Sequence, residues 1–263
     1  MAPHRGPTWL IPDWPAPAGV RALSTLRGGG VSGSPYASLN LGDHVGDGAT
    51  AVAENRRSLR AAAGLPAEPT WLTQVHGTCV KDLDSPALGP GPRDPVDSAD
   101  PARAADAAVT RQPGRVCAIL TADCLPVLLA TASGDRVGAA HAGWRGLAGG
   151  VIEAAVSALG APPGSLLAWL GPAIGPRRFE VGAEVREALL HGDPGARAAF
   201  EPNARGRFMA DLYALARRRL ARLGVERVYG GGECTHTDAD KYFSHRRDGQ
   251  TGRQATLIWL EPR

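Results

Sequence analysis

Three metal-capable side chains lie in three separate apolar, glycine-bearing segments: His76 in WLTQVHG, Cys124 in ILTADCLPVLL and His141 in GAAHAGWRG. Two imidazoles and one thiolate supply three of the four ligands of tetrahedral zinc. The fourth position is left to water or substrate, which marks a catalytic rather than a structural zinc. The spacings match no local finger motif, so the signal is shared context: each residue ends an apolar run beside a small or polar turn. Singly, each has a plainer reading. A cysteine between apolar strands is usually an inert buried thiol, and a histidine beside glycine is often only a turn residue. Metal coordination would itself hold Cys124 as thiolate.

Asp123 adjoins Cys124 and has two readings. It orients a histidine or acts as base on a bound water, or it caps its own turn through local backbone N–H groups. HAGWRG is the second informative stretch. Gly143 and Gly146 permit close backbone approach, a helix expected from about Leu147 offers free N–H groups and a positive dipole end, and the Arg145 guanidinium fits phosphate. The plainer reading there is a packed tryptophan turn with a surface arginine. Asn40, Gln74 and Arg246 are polar residues in expected rim loops and are candidate substrate contacts. Arg246 and Arg247 belong to YFSHRRDGQTGRQ, which also reads as a solvated hairpin tip. Cys234-x-His236 is a rival metal pair without an evident third partner.

The elements that must position these groups follow from patterning. RVCAILTA, LPVLLATA and RVGAAHAGW are continuous apolar runs, as strands buried on both faces look, and SLLAWLGPAIG is another. GVRALSTLR runs as a strand into the turn Gly28 to Gly30, TWLTQVHGTCVKDL reads as a strand pair broken at Gly77, and RVYGGGECT and QATLIWLEP close the chain as strands. Helical periodicity is expected in ATAVAENRRSLRAAAGL, ending at Gly64, in GLAGGVIEAAVSALG, in VGAEVREALLHG and in ADLYALARRRLARLG. Trp9 and Trp14 are expected to pin a proline-rich extended arm, 1–18, to one catalytic domain, 19–263. SPALGPGPRDPVDSADP is the most loop-like stretch and the expected place for local disorder. Strands interspersed with helices favour one α+β domain with its sheet covered by helices.

Composition narrows the function classes. At 43% hydrophobic residues over 263 positions the chain can bury a large core. Lys+Arg 29 against Asp+Glu 26 leaves a net charge of +3 without a dense basic run, so nucleic-acid binding is not expected. No run reaches the ~18 apolar residues of a membrane helix, and no secretory signal pattern opens the chain. Four scattered cysteines without a CxxC fit a reducing cytoplasm.

At SLNLGDHVGD, ENRRSL, WLTQVHG, ADAAVT, TADCLPVLL, AAHAGWRGLAGGV, WLGPAIGPRRFEVG and CTHTDADKYFSHRRDGQTGR the chain resembles the multicopper-polyphenol-oxidase-like (laccase-domain) family. That family is described as purine nucleoside phosphorylases with adenosine deaminase and methylthioadenosine phosphorylase activities, and includes a bacterial peptidoglycan editing factor. The resemblance spans about Trp9 to Trp259. It implies an αββα sandwich resembling the cysteine-hydrolase-like fold of deamidating toxins, one zinc on His76, Cys124 and His141, and purine nucleosides and phosphate as small-molecule partners. Copper, implied by the older oxidase name, ranks below zinc: two methionines and no HxH pair are a poor supply for several copper ions. The leading expectation is therefore a zinc-dependent purine nucleoside phosphorylase with catalytic Cys124, His141 and Asp123. A second is a hydrolase of muropeptide-type amides with Cys124 as nucleophile and His141 as base. A non-catalytic zinc protein ranks last, because three ligands leave a position open.

Overall fold

Six strands with every residue buried dictate the architecture, because each needs a partner layer on both faces. The computed structural model describes residues 6–85 and 104–262. In chain order the elements are β1 (Trp9–Leu10), β2 (Val20–Thr25), α1 (Ala49–Ala63), β3 (Val80–Asp82), β4 (Ala107–Thr110), β5 (Val116–Thr121), β6 (Leu125–Thr131) and β7 (Val137–Ala142). Then come α2 (Trp144–Gly149), α3 (Val151–Leu159), β8 (Leu166–Leu170), β9 (Glu180–Val181), α4 (Ala183–Leu190), β10 (Phe200–Pro202) and β11 (Phe208–Ala210). The last are α5 (Leu212–Leu223), β12 (Arg227–Gly230), α6 (His245–Asp248) and β13 (Gln254–Leu260). The fully buried strands are β4, β5, β6, β7, β8 and β13.

They divide between two sheets. One has the order β1-β2-β13-β5, and the other β12-β8-β6-β7-β4-β3. The larger sheet is mixed: β3 runs parallel to β4 and β12 to β8, while the pairs among β4, β7, β6 and β8 are antiparallel. The sheets face each other through Cys117, Ile119 and Ile258 on one side and Leu128, Ala139 and Trp169 on the other. Leu59 of α1 covers the outer face of the smaller sheet against Leu23 and Leu257. Helices α2 to α5 cover the outer face of the larger sheet, with Leu147, Ile152, Val185 and Leu215 in one core with Leu129 and Ala168. The result is a single mixed α/β domain in four layers: helix, sheet, sheet, helices.

Helix boundaries obey ordinary capping chemistry. In α5 the Asp211 side chain accepts from Ala214 N at 3.0 Å, and Gly224 ends the helix in the left-handed region. Gly64 closes α1 in the same way at φ 60°, as its position in the sequence predicts. The arm is anchored as expected at both tryptophans: Trp9 packs on the core beneath α1 and Trp14 on the core between the sheets.

Four local expectations change. The helix predicted over GLAGGVIEAAVSALG starts earlier, at Trp144, and divides at Gly150, whose φ of 99° no helix interior accommodates. TWLTQVHGTCVKDL is not a strand pair. Only Val80–Asp82 is strand, because the N–H groups of Val75, His76 and Gly77 go to a side-chain carboxylate instead of a ladder. RVYGGGECT stops being strand after Gly230, where three consecutive glycines take positive φ. A small sheet β10-β11-β9 has no counterpart in the sequence reading, since strands of two and three residues carry too little periodicity. The proline-rich stretch 85–101 lies almost wholly outside the described residues. Among those described, no helix is long and apolar enough to cross a membrane.

Leu128 is fully buried where the two sheets meet. Leu128→Ala is expected to lower unfolding free energy by roughly 2–5 kcal/mol, the range for leucine truncation in a close-packed core. Chemical denaturation followed by circular dichroism checks this.

Candidate metal centre

The site lies where the chain crosses between layers. Strand β5 ends in the smaller sheet at Thr121 and β6 begins in the larger at Leu125, so Ala122, Asp123 and Cys124 make the crossing. Asp123 sits at φ 96°, a left-handed conformation that turns the chain sharply enough to leave Cys124 at the mouth of β6. His141 lies within β7, opposite Pro126 of β6. His76 comes from the loop before β3 and holds φ 60°. The ligand atoms of His76, Cys124 and His141 all lie within 4.8 Å of one another, and Cys124 Sγ stands 3.9 Å from His76 Nε2. The two imidazole rings meet edge-on, centroids 4.8 Å apart. No other group of three or more potential ligands occurs among the described residues.

A carboxylate that sequence reading passed over organises this cluster. Asp106, fully buried, accepts from His141 Nδ1 at 2.8 Å, which holds a proton on Nδ1 and leaves Nε2 as the nitrogen that could bind a metal. The same side chain accepts from the backbone N–H groups of His76 at 2.9 Å, Gly77 at 2.7 Å and Val75 at 3.2 Å. Burial alone would raise the pKa of Asp106, but the bond from His141 and the N–H groups of Gly77 and Val75 outweigh it and hold the carboxyl below its ordinary range. Its signal in the sequence is faint: an aspartate inside the apolar ADAAVT, one position before β4. At that place the β4–β7 pairing sets it beside His141, whose N–H donates to the Asp106 carbonyl at 2.7 Å.

The cluster fits a metal. Burial pushes the Cys124 thiol up, yet the charge of His141 and hydrogen bonds from His141 and His76 bring it down to about 6, a thiolate facing an imidazolium whose Nε2 proton a bound metal would displace. A tetrahedral zinc with bonds of ~2.0–2.3 Å needs ligand separations of about 3.3–3.8 Å, a small contraction of the observed triangle. Gly143 leaves the room. A Cβ there would fall 2.8 Å from Cys124 Sγ and 3.2 Å from His76 Cδ2. Burial is graded, with His141 buried, Cys124 half-buried and His76 exposed, so one face opens to solvent.

The remaining sequence candidates take distinct places. The carboxylate that orients a histidine is Asp106, not Asp123. Both Asp123 oxygens are engaged on the C-terminal loop, one accepting from Thr235 Oγ1 and the other from Arg246 N, each at 2.6 Å. Asn40 is fully buried: its amide donates to Gly42 O and Asp47 Oδ2 and accepts from Gly42 N and Arg253 N. Those four bonds saturate it, so it shapes a loop and offers substrate nothing. The Gln74 amide pairs with the N–H and C=O of Leu120, both at 2.8 Å, acting as a strand partner at the edge of β5. Arg246 is exposed, with Nη1 on Glu180 O at 2.8 Å and its guanidinium 5.4 Å from the Phe179 ring centroid. Arg247 is spent on Thr235 O, His236 O, Tyr242 O and Asp248. Arg145 lies in the first turn of α2, stacked 4.5 Å over Trp144 and exposed, without an ion pair among the described residues. Helix α2 spans six residues, so the anion preference there rests on the guanidinium more than on a dipole. Cys234 Sγ accepts from Gly175 N and Thr237 Oγ1 and gathers no third metal ligand.

With this geometry in hand, comparison assigns a class. Residues 21–261 match the family described as multi-copper polyphenol oxidoreductase laccase, and the chain belongs to that family. It is 54% identical over 256 residues to a protein of Pseudomonas aeruginosa named purine nucleoside phosphorylase PA4543, covering 96% of this chain and 98% of that one. It is 52% identical over 251 residues to the Escherichia coli protein named purine nucleoside phosphorylase YfiH, covering 95% and 98%. Among solved structures, Neisseria meningitidis NMB0706 superposes with a TM-score of 0.87 at 48% identity, covering 97% of this chain and 99% of that one. YlmD of Geobacillus stearothermophilus does so with 0.87 at 32%, covering 100% and 98%.

Asp106→Asn keeps the shape of the side chain but removes the charge that orders His141 and the His76 loop. Metal affinity is expected to fall 10–100-fold, as for other carboxylate partners of metal-bound histidines. Chelator competition with metal analysis checks this; unchanged affinity would refute the role.

Proposed function

We propose that the chain is a zinc-dependent purine nucleoside phosphorylase that also deaminates adenosine and phosphorolyses methylthioadenosine. The observation that carries the reading is an open His–Cys–His cluster on a chain about half identical to proteins named purine nucleoside phosphorylase. One three-donor cluster with a soft thiolate suits a single zinc better than several copper ions. The layering of helix, sheet, sheet and helices agrees with the proposed relation to cysteine-hydrolase-like deamidating toxins, and the cysteine usage with a cytoplasmic location.

In phosphorolysis a phosphate oxygen forms a bond to the anomeric carbon of the sugar as the glycosidic carbon–nitrogen bond breaks. The electron pair leaves with the purine, and the products are ribose 1-phosphate and free base. In deamination water bonds to carbon six of the purine and ammonia leaves. Zinc on His76, Cys124 and His141 supplies Lewis acidity for either reaction at neutral pH. The protein's share is positioning. Asp106 keeps the His141 proton on Nδ1, the exposed side of His76 admits substrate, and Arg145 and Arg246 offer guanidinium groups at the rim. A second reading has its own observation: Cys124, His141 and Asp106 follow one another as nucleophile, base and orienting acid do in thiol hydrolases, which suits muropeptide-type amides.

Cys124→Ala is expected to abolish phosphorolysis with the far-ultraviolet spectrum unchanged, because a core of this size needs no metal to fold. Full activity in a metal-analysed sample would exclude both readings. A Cys124→Ser variant that keeps metal and loses all turnover would favour the thiol nucleophile. Arg145→Ala is expected to raise the KM for phosphate several-fold and to spare deamination, which consumes water. Equal loss of both rates would reduce Arg145 to a packing residue.

A further inference from the structure

One arginine beside the metal cluster has no acid of its own. Arg253 immediately precedes β13, whose first residue, Gln254, pairs with Thr121 at the end of β5. It therefore stands across from the crossing that carries Asp123 and Cys124. The fold invests in its placement. Its N–H donates to Asn40 Oδ1 at 2.8 Å, and its carbonyl accepts from Leu41 N at 3.1 Å. Gly42 clears a path for the side chain: a Cβ there would lie 2.7 Å from Arg253 Cγ. Nη1 donates to Thr251 O and Gly252 O, both at 3.0 Å, which fixes the roll of the guanidinium plane.

The other edge of that plane, Nε with Nη2, makes no hydrogen bond and no ion pair among the described residues, and neither atom is sealed in the core. Burial depresses the pKa of Arg253, and the charges that offset it are those of Cys124 first, then Asp123 and Tyr36. Asp123 is not within ion-pair distance and its oxygens are already engaged. A half-buried guanidinium without a paired carboxylate is costly unless an anion arrives. The free Nε–Nη2 edge is the fork that takes two oxygens of a carboxylate or phosphate side by side.

We propose that Arg253 is the inner phosphate-binding residue of this site, its free edge gripping two phosphate oxygens beside the Cys124 end of the cluster. Asn40 and Gly42 are then the parts that aim it, which accounts for an asparagine saturated inside the protein next to a substrate site. The choice of phosphate among anions rests on the phosphorylase reading; the anion seat itself rests on the placement of Arg253.

The test uses metal-analysed wild type, Arg253→Ala, Arg253→Lys and Gly42→Ala. Calorimetric titration with inorganic phosphate, inosine binding without phosphate, and initial rates against phosphate are read on each. Arg253→Ala is expected to raise both the Kd and the KM for phosphate at least tenfold while inosine binding stays within twofold. Arg253→Lys should recover part of the loss, as a point charge without the fork. Gly42→Ala should weaken phosphate in the same direction by displacing the side chain with its charge intact. Phosphate affinity within twofold of wild type in folded Arg253→Ala overturns the proposal, as does equal loss of inosine binding. So does loss of metal alone, with normal phosphate affinity after reloading, which would make Arg253 a partner of the thiolate. If Arg253→Ala does not fold, the other two variants decide by the same criteria. Wild type that binds phosphate through Arg253 but forms no ribose 1-phosphate would refute the phosphorylase reading and keep the seat. Phosphorolysis indifferent to Arg253 would do the reverse.

Discussion

The carboxylate of Asp106 is the interaction on which the site depends. Four donors converge on it: three successive backbone N–H groups from Val75 to Gly77, and His141 Nδ1. The first three fold the His76 loop around one point, and the fourth sets the tautomer and direction of His141. Two ligands from segments far apart in sequence are thus oriented by one fully buried group. A buried carboxylate is tolerable only when its oxygens are satisfied, and here the bonds that satisfy it also build the cluster. Loop and histidine are therefore coupled: disturbing either leaves Asp106 short of partners.

The third ligand is placed by a different device. Cys124 is delivered by the crossing between the two sheets, and the left-handed backbone of Asp123 makes that crossing short. A non-glycine residue there costs about 1–2 kcal/mol. The two 2.6 Å bonds that Asp123 accepts from Thr235 and Arg246 offset it and join the C-terminal loop to the same turn. Gly143 completes the arrangement by having no side chain where Sγ and the His76 ring must meet. Strain and vacancy are concentrated at the point where three layers of chain converge, as functional sites commonly show.

Charge around the site is sorted by hydrogen bonding. Arg247 spends its guanidinium on carbonyls and Asp248, and so is structural. Arg246 spends part on Glu180 O, and Arg145 only stacks on Trp144. Arg253 is anchored through one nitrogen and leaves an edge open. In sequence these four are arginines in polar or glycine-rich company, and nothing local ranks them.

The sequence by itself determined the buried strands, the helices that cover them and the metal-capable residue types. Continuous apolar runs in β5 to β8 and β13 had to become strands buried on both faces, and the periodicity of α1 and α5 had to supply covers, because only those arrangements bury that surface. His76, Cys124 and His141 were legible as zinc-capable residue types beside apolar stretches, although His76 lies in a loop and His141 within β7. Tertiary structure alone decided the rest. Whether a buried aspartate faces a histidine depends on the β4–β7 register, which moves Asp106 to the other face if it slips by one residue. Whether Asn40 meets substrate or backbone depends on a neighbour more than two hundred positions away, Arg253. Helix α2 begins at Trp144 and breaks at Gly150 because the chain must turn from β7 onto the sheet face, a demand absent from local propensity. Hydrogen-bond partners are set by long-range register, and a pattern of residue types carries no record of it.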